Sequence, residues 1–253
     1  MAEKKDRTNE IGYNNNGERM TIVRYGNKND IDIQFDDGTI VEHSVYCNFK
    51  KGSIKNPMTP NVYGVGFIGV GDYKSCDENG KDTKCYDTWR SMHMRCYDHK
   101  YQDKHSTYKD CTVCKEWNNY QEFAKWDNEN YYEVGNEIMT LDKDILCKGN
   151  KVYSPETCIY VPQSINVLFV KRDKCRGDYP IGVCKFRNKF QAKLSKGNGK
   201  QIHLGYYNTP EEAFFAYKKA KEAYIKEVAE EYKGKIDNRL YEALMNYEVE
   251  ITD

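Results

Sequence analysis

The sequence holds ten cysteines, at positions 47, 76, 85, 96, 111, 114, 147, 158, 175 and 184. Cys111-Thr112-Val113-Cys114 is a C-x-x-C knuckle, a spacing that lets two thiolates reach one ion. Cys96 closes an apolar helical stripe upstream, and Cys158 follows a strand-rich stretch downstream. One knuckle and two single thiols suit a tetrahedral zinc with Zn–S distances of about 2.3 Å. Four thiolates would leave no position for water, so such an ion would be structural. Cys147, beside Gly149, is the alternative to Cys96 or Cys158. The knuckle also reads as two buried thiols near a helix start. No apolar leader follows Met1, so a reducing, cytoplasmic setting is expected, where paired cysteines serve metals more often than disulfides.

The second chemical feature is a concentration of positive charge. The chain balances 39 Lys+Arg against 39 Asp+Glu. That balance is a cancellation: 9 basic against 9 acidic residues over 1–60, 13 against 17 over 61–170, 16 against 8 over 171–235, and 1 against 5 over 236–253. Between 171 and 203 there are 10 basic and 2 acidic residues. A uniformly basic coat is excluded, but one basic face is not, and phosphate binding needs only the face. Nothing approaches the roughly 18 consecutive apolar residues of a membrane span, so no membrane partner is expected.

The elements that must position these groups can be read from local signals. Ile31-Asp32-Ile33-Gln34-Phe35 alternates, and Asp36-Asp37-Gly38 is a hairpin turn; residues 10–55 are expected to form a small β module of three to five strands. Apolar residues at helical spacing predict helices over 86–101 and 115–130. Residues 141–146 and 151–153 could pair as a hairpin across Lys148-Gly149-Asn150. Gly64, Gly66 and Gly69 match G-x-G-x-x-G, but the polar turn that follows lacks the helix a dinucleotide site requires. Short strands over 182–186, 189–194 and 201–207 precede Thr209-Pro210-Glu211-Glu212, a capping box with proline at N1. Ala213, Tyr217, Ala220, Tyr224, Val228 and Tyr232 stripe the helix that follows, and Gly234 stops it.

Asp87-Thr88-Trp89-Arg90-Ser91-Met92, Arg95-Cys96-Tyr97, Val113-Cys114-Lys115-Glu116-Trp117, Leu141-Asp142-Lys143-Asp144 and Tyr153-Ser154-Pro155-Glu156-Thr157-Cys158 together resemble the phage-encoded HNH-type (ββα-metal) homing endonucleases. The resemblance spans about residues 86–169. It implies a ββα unit in which a histidine base activates water beside a divalent metal. The base position falls on Lys143, an ammonium at neutral pH. Thr157 stands at the central asparagine position, and Asn166 suits the last. Asp142 and Asp144 could still hold magnesium. The resemblance thus implies a degenerate catalytic motif built from Asp142, Lys143, Asp144 and Asn166.

Gly182-Val183, residues 189–194 and residues 203–213 resemble the Apetala/ethylene-response-factor DNA-binding domain, over about residues 176–234. In that family the three-stranded sheet enters the major groove. The alternation agrees: Val183, Ala192, Leu194, Ile202 and Leu204 share the helix-facing side, while Lys193, Ser195, Gln201 and His203 share the other. Lys185, Arg187, Lys189, Lys196 and Lys200 sit at strand edges and turns, within reach of phosphates. Positions that carry Arg and Trp in plant members are Cys184, Phe186, Lys193, Ser195 and His203 here, so few bidentate guanine readers remain.

These observations lead to an α+β, multi-domain expectation: a β module at 10–55, an HNH-like zinc-stapled domain at 56–170, an Apetala-like β3α domain at 176–235 and an acidic tail at 236–253. The expected function is nucleic-acid binding, with double-stranded DNA as partner and little or no nuclease activity. Two alternatives remain. One is a counter-defence inhibitor that binds a host nucleic-acid-handling protein or its guide RNA. The other is a magnesium-dependent nicking endonuclease.

Overall fold

The computed structural model describes residues 6–170, 179–196 and 201–253. The fold is mixed α+β with several small sheets, and the chain divides into two units, 1–127 and 128–253.

In the first unit, β1 (Ile11–Tyr13), β2 (Arg19–Asn27), β3 (Asp30–Phe35) and β4 (Ile40–Ser44) form an antiparallel meander in that order. Period-two alternation sends Met20, Ile22, Ile31, Ile33 and Phe35 to one face, where they are buried with Phe49 and Ile54. Phe49 comes from α1 (Tyr46–Lys51). The expected Asp-Gly turn joins β3 to β4, with Gly38 at φ +87° and its N–H bonded to the Phe35 carbonyl.

Next come α2 (Lys84–Tyr97), α3 (His99–Lys104), the two-residue β5 (Thr112–Val113) and α4 (Tyr120–Asn130). The single helix predicted over 86–101 is broken at Asp98, which ends α2 and caps α3 through its side chain. The helix predicted from 115 starts at Tyr120, because residues 116–118 form a tight 3-10 turn that carries Trp117 inward. There Trp117 meets Trp89, whose indole N–H donates to the Trp117 carbonyl. The Gly64–Gly66–Gly69 stretch packs over this core. A Cβ on Gly66 would lie 2.9 Å from the Trp89 ring, so close packing, and not a phosphate, explains that glycine.

In the second unit, β6 (Met139–Asp142) pairs antiparallel with β8 (Ile159–Pro162), and α5 (Gln163–Asn166) follows directly. This differs from the hairpin predicted across Lys148-Gly149-Asn150. Asp142 ends β6 by capping a turn, and β7 (Val152–Tyr153) is not its partner. Then β9 (Val183–Phe186), β10 (Lys189–Ser195) and β11 (Gln201–Tyr207) form an antiparallel sheet in the order β11-β10-β9. The 22-residue α6 (Pro210–Glu231) and α7 (Asn238–Met245) complete the unit.

Helix α6 serves two cores. Its first half covers the sheet, where Ala213, Phe214 and Tyr217 bury Val183, Ala192 and Leu194. Its second half places Ile225, Val228 and Ala229 with Ile145, Ile159, Val161 and Ile165. That shared core is why residues 128–170 group with the C-terminal elements, away from the 56–170 domain expected from sequence. Residues 236–253 are not a tail: Leu240 and Leu244 of α7 are buried in the second core and Val249 in the first.

Candidate nucleic-acid interface

The cross-strand registers define the outer face of the β9–β10–β11 sheet. Phe186 pairs with Lys189, Cys184 and Tyr206 flank Gln191, Lys193 pairs with His203, and Ser195 pairs with Gln201. Paired residues share a face, and side chains two apart on a strand do too. The outer face therefore carries Lys193, Ser195, Gln201 and His203, as the alternation predicts, together with Lys189, Phe186 and Tyr206. No Asp or Glu occurs anywhere in residues 179–210.

Gln191 organises this face from its centre. It is buried, donates from Nε2 to His203 Nδ1 at 2.8 Å and accepts from the Cys184 thiol at 3.7 Å. Accepting at Nδ1 leaves the His203 Nε2–H as the donor of this exposed imidazole. The Phe186 and Tyr206 rings lie 5.2 Å apart at 33°, and His203 lies 4.5 Å from Tyr206. Arg187 opens the two-residue β9–β10 turn at φ 54°, its guanidinium 5.5 Å from the Phe186 ring.

Two expected contact residues stand elsewhere, and a third is not among the described residues. Lys196 is tied to α6: its ammonium pairs with Glu227 at 3.0 Å and sits 4.5 Å over the Tyr224 ring. Lys185 pairs with Phe190, which packs toward α6, so it rises from the helix-side edge of β9 and not from the outer face. Lys200 lies outside the described residues. Ile202, expected to cover the helix, is 40% exposed near the open end of β11.

The residues that the sequence resemblance assigned to catalysis are engaged in structural hydrogen bonds. The Lys143 ammonium is buried, donates to Asp144 and to the Asn150 carbonyl, and lies 5.7 Å from the Tyr153 ring. Asp142 Oδ1 accepts the N–H groups of Asp144 and Ile145, both at 2.8 Å. Burial pushes the Asp142 carboxyl above its ordinary pKa. Asn166 donates its amide to Thr140 Oγ1 at 3.1 Å.

Local bonds stitch Cys96 to the knuckle. Gln102 Nε2 donates to the carbonyls of Cys96 (2.7 Å) and Tyr108 (3.3 Å), and the Tyr108 carbonyl also accepts the Cys111 N–H at 3.1 Å. The Tyr97 hydroxyl accepts the Val113 N–H at 3.0 Å. Cys96 and Cys111 are buried and Cys114 half-buried, all in the first unit. Cys158 is buried in the second unit, just before β8, and Cys147 is exposed. Thiolates of this kind suit a thiophilic ion such as zinc, but these three are not among the described residues whose ligand atoms converge within 4.8 Å of one another.

Sequence inspection passes over one other cluster. Asp30, Asp32 and His43 bring their ligand atoms within 4.8 Å of one another. Arg24 already clamps both carboxylates, at 2.7 Å to Asp30 and through Nε to Asp32. These pairs hold both acids below their ordinary pKa, so the guanidinium supplies the charge that a cation would.

No family model matches the chain, no curated protein matches it, and no solved structure matches it.

Proposed function

We propose that this protein binds nucleic acid through the outer face of β9–β10–β11, without acting as a nuclease, and that a structural zinc at Cys96, Cys111 and Cys114 braces the first unit. One observation carries the binding assignment. A sheet whose other face is buried under α6 displays Lys189, Lys193 and His203, with Arg187 at its turn, from a 32-residue stretch (179–210) free of carboxylates. A polyanion meets no repulsion from that stretch, and each cation placed on a phosphate releases counterions.

The resemblance to HNH enzymes supports descent from a phage homing endonuclease. The site supports loss of its chemistry: Lys143 is a buried donor where a base is needed, and Asp142 and Asn166 are committed to backbone and hydroxyl partners. A magnesium-dependent nicking activity is therefore not the reading favoured here, nor is inhibition of a host defence protein.

Fluorescence anisotropy with labelled nucleic acid tests the proposal. Binding should weaken steeply with salt, log K falling against log[salt] with a slope of about −2 to −3 for a face with three cations. Lys189→Ala with Lys193→Ala should weaken binding broadly across sequences and lower that slope by about 2. Salt-independent binding, or none at about 50 mM salt, would refute the assignment.

A further inference from the structure

We infer that this face recognises unpaired bases: single-stranded nucleic acid, with Phe186 and Tyr206 as its stacking platform. The inference rests on the nucleic-acid reading above and names the form of the ligand.

Phe186 and Tyr206 come from the two outer strands and meet across β10, above the buried Gln191. They are 43% and 46% exposed, although the same sheet has an apolar face under α6 that holds Phe190 and Tyr207. Exposed aromatic rings on the solvent side of a sheet, 5.2 Å apart, offer flat surface to a planar ligand. His203, 4.5 Å from Tyr206, extends the row to three rings. Cations border the row: Arg187 beside Phe186, Lys189 paired with Phe186, and Lys193 paired with His203. Aromatic faces edged by cations are what a strand with splayed bases and a flanking phosphate chain requires.

Duplex readout needs different equipment. In a duplex the base faces are already stacked on one another, and a protein meets only edges and phosphates. Reading those edges takes bidentate donors, Arg on guanine or Asn/Gln on adenine. Gln191, at the centre of the face, spends its amide on His203 and Cys184. Arg187 lies at the turn, not on the strands. The face is rich in stacking surface, and its candidate edge reader is Gln201 at the start of β11.

Anisotropy titrations of the full chain with oligothymidylate and oligouridylate of about 16 nucleotides, and with a duplex of the same length, decide this. The single strands should bind more tightly than the duplex at matched salt, and the two oligomers show whether DNA or RNA is preferred. Phe186→Ala and Tyr206→Ala should each weaken single-strand binding about ten-fold while the salt slope stays unchanged. Phe186→Tyr should retain binding, and thermal melts should show each variant folded. Tighter duplex binding, or single-strand binding indifferent to both alanine variants, would overturn the inference and leave the nucleic-acid assignment standing. Failure of all three probes to bind would overturn both.

Discussion

Lys221 is the side chain whose chemistry least matches its place. It lies in the buried stripe of α6, one helical turn from Tyr217 and from Ile225, and is 8% exposed. Burial alone lowers its pKa from 10.5 to about 8. Below about pH 8 the folded chain bears the full cost of a desolvated ammonium. Between pH 8 and 10.5 the unfolded chain keeps a proton that the folded chain has lost, so stability rises with pH; above that range the penalty is gone. Lys221→Met should therefore stabilise the protein at pH 7 by about 2–3 kcal/mol. In urea melts, the gap between variant and parent should close as pH climbs from 8 to 10.5. A variant no more stable than the parent at pH 7 would show that the ammonium finds solvent. Sequence periodicity alone points to Ala220 and Tyr224 as stripe members, because a lysine does not announce itself as buried. Only packing on two cores rotates Lys221 and Ile225 inward.

At the scale of elements, the β9–β10 turn sets stability against function. A two-residue hairpin favours Gly, Asn or Asp where φ is positive, yet Arg187 takes that position at φ 54°. A side chain there is strained, and the compensation is a guanidinium set beside Phe186. Arg187→Gly should raise stability by about 1 kcal/mol in thermal or urea unfolding and weaken nucleic-acid binding at the same time. Loss of stability in this variant would mean that the arginine makes contacts worth more than the strain. Gly182 is the converse case: at φ +78°, a Cβ there would sit 2.0 Å from the Tyr217 ring, so the entry to β9 depends on having no side chain. The start of α6 was legible, since Thr209 and Glu212 exchange the two bonds of a capping box within four residues. The strand partner of β6 was not, because it lies 17 residues beyond Asp142 at Ile159 and depends on a core completed by α6.

For the whole molecule, the two units are each close to neutral: 19 basic against 20 acidic residues over 1–127, and 20 against 19 over 128–253. Charge is thus distributed unevenly along the second unit, where residues 179–210 carry no carboxylate and α6, directly after them, carries six. The thiols of the first unit give a prediction independent of binding. Metal analysis of protein purified without chelator should find about one zinc per chain. Cys111→Ser with Cys114→Ser should abolish it, and chelation should lower the melting temperature of the parent but not of that variant. Metal content unchanged by the double substitution would show that the ligands are other residues.

What the sequence determined by itself is what short-range physics decides: the alternation of β2 and β3, the Asp-Gly turn, the capping box, the knuckle and the acid-free basic stretch. Each depends on backbone sterics or hydrogen bonds within a few residues. The tertiary structure alone decided which lysines stand on the outer face of the sheet and which pair with a helix, that Phe186 and Tyr206 meet across β10, and that 236–253 is core and not tail. Those outcomes depend on which surfaces remain to be covered once α6 has packed against two cores, and no local window of sequence contains that information.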